Sequence, residues 1–149
     1  MNRVPRTTID ELLARARQHL HRLGPVQAQA ATHEGAVLID IRSDSQIAAD
    51  GTIPDAIVIA RNVLEWRLDP ASSHRHPGAP GLEDHVILFC NEGYQSSLAA
   101  STLRELGFCH ATDLDGGFQA WRDAGLPVDP PTNAPATPAS PRQDEGSQP

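Results

Sequence analysis

Val86-Ile87-Leu88-Phe89-Cys90-Asn91-Glu92-Gly93-Tyr94-Gln95-Ser96-Ser97-Leu98 is the stretch whose pattern decides the fold. Four apolar residues run without polar alternation, which marks a strand covered on both faces, as in a parallel sheet. A polar turn of six residues, Cys90 to Gln95, follows, and a helical pattern begins at once over 96–106. A thiol at a strand-to-helix junction sits where main-chain N–H groups converge and the helix's positive end lies. Such surroundings favour the thiolate, the reactive form of cysteine. In open parallel sheets, ligands also bind just beyond the carboxyl ends of the strands. Cys90 is therefore the candidate nucleophile, and Asn91, Glu92, Gly93, Tyr94, Gln95 and Ser96 are the candidate anion-binding turn.

Working outward, three more short apolar runs read as strands: 36–39, 56–59 and 111–114, the last weakened by Thr112 and Asp113. Helical patterns at 43–49, 62–68 and 118–124 alternate with them, which predicts an α/β layered domain with a parallel sheet. At the N-terminal end, Thr8-Ile9-Asp10-Glu11 fits a capping box. Ile9, Leu12, Leu13, Ala16, Leu20 and Leu23 then recur at helical spacing and predict an amphipathic helix over about residues 9–22. Gly24-Pro25 ends it, and a second short helix is expected over 26–33. Residues 69–85 form a loop rich in Pro, Gly and His. From Asp129 onward, Pro, Thr, Ala and Ser dominate, and such a tail is expected to be disordered.

Composition excludes several classes. The 149 residues suffice for one domain with its own core. Net charge is −7, and all twelve basic residues are scattered arginines, which argues against a nucleic-acid partner. No apolar run reaches the roughly 20 residues of a membrane span. The polar stretch Met1 to Ile9 lacks the apolar run of a secretion signal, so a cytoplasmic chain with Cys90 and Cys109 reduced is expected. Cys109 lies in a short helix-to-strand connection without an anion-binding turn and is read as structural or incidental. His74 and His76 lack the further ligands a metal site needs, so no metal is expected.

The turn itself carries the chemistry. Gly93 can take a positive φ, letting the chain curl so that successive amides face one centre. The hydroxyls of Ser96 and Ser97 can cap the following helix or donate into the cradle, and the side-chain amides of Asn91 and Gln95 are further donors. No histidine lies in the turn, so activation is expected from backbone dipoles rather than a Cys–His pair.

Four motifs in order carry a family resemblance. They are Leu38-Ile39-Asp40-Ile41-Arg42, Gly51-Thr52-Ile53-Pro54-Asp55-Ala56, the stretch from Val86 to Ser97, and Leu114-Asp115-Gly116-Gly117-Phe118-Gln119-Ala120-Trp121, with Gly125-Leu126-Pro127-Val128 closing the pattern. The chain resembles the rhodanese-like sulfurtransferase domain. The resemblance implies a three-layer α/β fold, a five-stranded parallel sheet with helices on both faces. Residues 1–22 are then an N-terminal helical extension, 23–128 the rhodanese-like domain, and 129–149 a Pro-rich tail.

The resemblance also implies that the Cys90 thiolate takes a sulfane sulfur from a small-molecule or protein-bound donor. It would hold that sulfur as a persulfide and pass it to a thiophilic acceptor, with no metal or organic cofactor. Asp40 and Arg42 are then an ion-paired scaffold, a reading that stands beside that of a solvated strand end. Arg61 is expected at the pocket rim. Related phosphatases carry Arg at the sixth position after the cysteine, where this chain has Ser96. The turn's one charged side chain is Glu92, so thiosulfate, a dianion, is expected to be a poor donor. The alternative is a non-catalytic module that carries or senses sulfur or binds a protein, favoured by the acidic turn and the extra N-terminal helix.

Overall fold

The computed structural model describes residues 4–132, and the sheet at its centre follows the burial pattern of the strands. The strands are β1 (Val37–Asp40), β2 (Ile57–Val58), β3 (Val86–Phe89) and β4 (Ala111–Asp113). They pair in parallel in the order β2-β1-β3-β4. β3 is central, and all four of its residues are fully buried, as its unbroken apolar run requires.

The helices are α1 (Ile9–Arg17), α2 (Pro25–His33), α3 (Asp44–Asp50), α4 (Leu64–Leu68), α5 (Gln95–Glu105) and α6 (Gly117–Asp123), with a 3₁₀ turn at Arg61–Val63 leading into α4. Successive strand side chains point to opposite faces. Val86, Leu88 and Cys90 pack with Leu64 and Leu68 of α4 and with Ala99, Ala100 and Leu103 of α5. Ile87 and Phe89 pack on the other face with Ala28 of α2 and Phe118 and Trp121 of α6. The result is three layers with Cys90 on the α5 face. Phe89, Phe108 and Phe118 are fully buried, and each such side chain contributes about 1.5–3 kcal/mol.

The five-stranded expectation is corrected to four strands. The place of a fifth is taken by one residue, Leu23, whose N–H donates to the Asp113 carbonyl at 3.2 Å and whose carbonyl accepts from Asp115 at 2.8 Å. Gly24 and Pro25 follow directly, and Pro25 opens α2, so the pairing stops after one bridge.

The same edge contact shortens the first helix, which ends at Arg17 rather than near residue 22. Its capping box forms as the sequence predicts: Thr8 N–H donates to Glu11 Oε1 at 2.8 Å, and Glu11 N–H to Thr8 Oγ1 at 3.1 Å. Those bonds hold the exposed Glu11 carboxyl below its usual pKa. Ile9 and Leu12 face solvent, while Ala16 and Leu20 turn inward, and α1 packs across α5.

At the other end, Thr52 and Asp129 exchange main-chain hydrogen bonds of 3.3 and 2.7 Å. Asp129, where the tail was expected to begin, is therefore pinned to the domain. Residues 133–149 of that tail lie outside the described residues. Among the described residues, no helix is long and apolar enough to cross a membrane.

Candidate active site

The root of the turn is held by α6. The Phe118 N–H donates to the Cys90 carbonyl at 2.9 Å and the Gln119 N–H to the Asn91 carbonyl at 3.1 Å. The Gln119 side chain adds a bond of 2.9 Å to Asn91 Oδ1. This approach requires glycine at 117, where a Cβ would lie 2.6 Å from the Cys90 carbonyl oxygen. At mid-turn, Gly93 has φ +91°, and a Cβ there would lie 2.8 Å from the Gly116 nitrogen. The predicted curl is thus required both by the backbone angle and by the lack of room.

The curl brings two main-chain donors to the sulfur. Gly93 N–H lies 3.2 Å and Ser96 N–H 3.4 Å from Cys90 Sγ. The N–H groups of Asn91, Glu92, Tyr94 and Gln95 donate to no acceptor among the described residues. Cys90 itself is only 8% exposed. Glu92, Tyr94 and Gln95 are exposed along the open side of the turn.

Behind the turn stands a buried polar wall. Asp113, fully buried, accepts from Ser96 Oγ at 2.7 Å and Ser97 Oγ at 2.8 Å. Arg22 closes on the same carboxylate, Nε to Oδ1 at 2.9 Å and Nη2 to Oδ2 at 3.2 Å, and reaches Asp115 at 3.0 Å. Burial alone would lower the Arg22 pKa; hydrogen bonding and charge from Asp113, with the charges of Asp115 and Cys90, outweigh it and raise it above the ordinary arginine value.

Arg17, the last residue of α1, places Nε on Ser97 Oγ at 3.0 Å and Nη2 on the Gly93 carbonyl at 2.8 Å. Arg22 Nη2 reaches that same carbonyl at 2.9 Å. The Ser96 hydroxyl therefore departs from its expected part. It donates to the stronger acceptor, the Asp113 carboxylate, and accepts from the Cys90 S–H at 3.4 Å.

In front of Cys90 is a cavity of about 360 Å³ whose lining includes Arg42, Gln46, Arg61 and Glu92. Asp40 and Arg42 are a buried pair, with Nε to Oδ1 at 2.9 Å and Nη2 to Oδ2 at 2.7 Å, so this strand end is not solvated. Arg42 also donates to the Gly51 carbonyl at 2.7 Å and lies 4.1 Å from the Phe118 ring centre. Thr52 donates to Asp40 Oδ2 at 2.6 Å. Arg61 holds both carboxylate oxygens of Glu65 at 2.9 Å. The acidic turn is thus surrounded by arginines. Of the four arginines around it, Arg22, Arg42 and Arg61 are ion-paired, and Arg17 makes no ion pair among the described residues.

Cys109 is exposed, and neither cysteine is in a disulfide. Its neighbour Ala111 pairs with Val86 at the start of β3, whereas Cys90 follows the end of β3. The two sulfurs are therefore separated by about the length of a strand, roughly 13–16 Å, too far for a disulfide. Two larger hollows of about 500 Å³, beside His33 and Trp121 and beside His85 and His110, do not include Cys90. No group of three or more His, Cys, Asp or Glu side chains among the described residues is placed to hold a metal ion.

Sequence reasoning missed Arg17, Arg22 and the part played by Asp113; Ser97, expected to cap the helix or point its hydroxyl into the turn, instead donates to Asp113. The available signal was Asp113 itself, an acid inside a segment that otherwise reads as a buried strand. A buried carboxylate requires cations or several donors.

Comparison with known proteins gives the family. The rhodanese-like domain family matches residues 25–124. The thiosulfate sulfurtransferase GlpE of Pseudomonas savastanoi pv. phaseolicola is 35% identical over 101 residues, covering 68% of this chain and 86% of that protein. Among solved structures, the human single-domain sulfurtransferase TSTD1 has a TM-score of 0.60 and 30% identity, over 68% of this chain and 95% of that one. Protein RPA3614 of Rhodopseudomonas palustris, described as of unknown function and a possible tyrosine phosphatase, has a TM-score of 0.77 and 32% identity, over 87% of this chain and 99% of that one.

Proposed function

The chain belongs to the rhodanese-like domain family and is a sulfurtransferase, and we propose that it moves a sulfane sulfur from donor to acceptor through a persulfide on Cys90. The Cys90 thiolate attacks the outer sulfur of the donor. With thiosulfate, the sulfur–sulfur bond breaks, sulfite leaves with the electron pair, and Cys90 becomes a persulfide anion. An acceptor thiolate then attacks the terminal sulfur, and Cys90 departs as thiolate.

The observation that carries the reading is the split in the turn's amides. Those of Gly93 and Ser96 are on Sγ, while those of Asn91, Glu92, Tyr94 and Gln95 have no acceptor among the described residues. The first pair suits a charged cysteine sulfur and the others a second sulfur beyond it, where donors set in advance are most effective. Asp40 and Arg42 are the buttress under this site, and Arg61 stands at its mouth. The donor and acceptor are small molecules or protein-bound sulfur.

Charge bears on the donor. Glu92 is exposed on the rim, where water and salt screen it, and Arg42 and Arg61 line the same cavity. That weakens the case against thiosulfate drawn from Glu92 alone, and thiosulfate stands among the proposed donors. Glu92→Gln is expected to leave kcat/KM for thiosulfate within about twofold of wild type, and a rise for thiosulfate alone among the donors would show that Glu92 hinders it.

The test of the whole reading is the intact mass after incubation with thiosulfate and with a persulfide donor. The expected result is a gain of one sulfur atom on Cys90, lost on adding an acceptor thiol and absent in Cys90→Ser. No gain with any donor would leave a binding module instead. A phosphatase reading follows from the description of the Rhodopseudomonas protein. Here, however, the position of the phosphatase arginine is Ser96, which lacks a bidentate anion clamp, so no phosphate release from an aryl phosphate is expected.

A further inference from the structure

We propose that Arg17 and Arg22 are positioning residues for the sulfur cradle, acting from behind the turn through the carbonyl of Gly93 and the carboxylate of Asp113. The proposal rests on the sulfur-transfer reading and adds to it two residues that lie outside the turn and outside the matched family segment, residues 25–124.

The geometry runs through one peptide. The Gly93 carbonyl accepts from Arg17 Nη2 at 2.8 Å and Arg22 Nη2 at 2.9 Å. In a trans peptide the carbonyl and the next N–H point in opposite directions. Two guanidinium donors holding this carbonyl at the rear therefore turn the Tyr94 N–H away from the wall and toward the open side of the turn, where it has no acceptor among the described residues.

Arg22 holds the turn a second time. Its fork on Asp113 fixes the carboxylate that takes the hydroxyls of Ser96 and Ser97. Gly93 and Ser96 are the two residues whose N–H groups reach Cys90 Sγ, and one guanidinium thus braces the carriers of both donors. Arg17 braces the first directly and Ser97 alongside, and lies 5.7 Å from the centre of the Tyr94 ring. A turn without a basic residue of its own takes its positive charge from the N-terminal segment.

The test compares Arg17→Ala, Arg17→Lys, Arg22→Ala and Arg22→Lys with Arg15→Ala. Arg15 lies on the same helix, but its side chain donates to Thr7 Oγ1 at 2.9 Å, away from the turn. Steady-state sulfur transfer is read as kcat and KM, alongside the melting temperature and the rate of Cys90 alkylation by neutral iodoacetamide. The expected result is a fall in kcat of about tenfold for Arg17→Ala and about 100-fold for Arg22→Ala, with KM for the donor changed by no more than about twofold. Lysine rescues position 17, where one donor on Gly93 suffices, and fails at position 22, where a fork is needed. Arg15→Ala behaves as wild type.

The proposal is overturned if folded Arg17→Ala keeps wild-type kcat and alkylation rate, or if Arg15→Ala loses as much. Should Arg22→Ala not fold, because Asp113 is left buried without its cation, the Arg17 pair of variants decides. If the wild type takes up no sulfur, the functional reading fails by itself. Slower alkylation of Arg17→Ala would then still support the bracing, and an unchanged rate would overturn it.

Discussion

Two buried aspartates flank β3, and each is closed by an arginine, but the two pairs do different things. Asp40 ends β1, and its partner Arg42 is two residues along the same chain segment, with side chains 0% and 1% exposed. Asp113 ends β4, and its partner Arg22 comes from the far end of the chain and stays 17% exposed. The first pair ties a strand end to the Gly51 turn and to the rings of Phe89 and Phe118. The second reaches the hydroxyls and the carbonyl of the cysteine turn itself. A local pair stiffens what is already adjacent. A distant pair makes the turn's shape depend on the docking of the N-terminal segment.

The largest effects separate the pairs by stability. Asp40→Ala leaves Arg42 buried with no other carboxylate, and a loss of about 3–5 kcal/mol is expected in urea unfolding. Asp113→Ala leaves Arg22 partly exposed and still on Asp115, and about 2–3 kcal/mol is expected. Equal losses would break the comparison.

Gly93→Ala, which places a side chain at φ +91° against Gly116, is expected to cost about 1–3 kcal/mol and to lower sulfur transfer further than the unfolded fraction explains. A stable, fully active variant would show that the curl is not required. Next comes Thr8→Ala, which removes the cap of α1 and with it about 1 kcal/mol of helix stability. Hydrogen exchange should quicken in α1, while α3, capped independently by Ser43, is unchanged. Uniform quickening would mean that the N-terminal segment is not a separable support.

The smallest effect lies at the opposite end of β3 from both pairs. Partial burial, with the nearby His110, lowers the pKa of His85 below its ordinary value. As pH falls through about 6.5, the unfolded chain binds this proton first, so folded stability drops relative to a His85→Asn variant. Chemical denaturation of both between about pH 7.5 and 5.5 checks the sign, and a gap independent of pH would contradict it.

Legibility in the sequence follows the same division. Strand β3 is where its unbroken apolar run puts it, and the turn after it curls at Gly93 because glycine alone fits there. The pairing of Asp40 with Arg42 came from the family resemblance, and the residues alone left a solvated strand end equally open. Arg22 and Asp113 were not readable as a pair, since no local pattern relates residues 91 apart. Asp113 was instead read as weakening its strand, because a propensity scale assigns polarity without knowing that four donors wait for the carboxylate. Leu23 was read as part of a helical repeat, and its exit into the sheet edge reflects tertiary pairing that outweighed the periodicity. The five-stranded expectation came from the family resemblance, and this chain fills that place with one residue.

The turn's root and rear wall come from three stretches: residues 17–22, the cysteine turn, and 113–119. During synthesis the first two leave the ribosome well before the third. Until Gln119 is free of the exit tunnel, the nascent chain carries its cysteine without the wall that shapes the surroundings, so the cradle closes only after all three stretches have emerged.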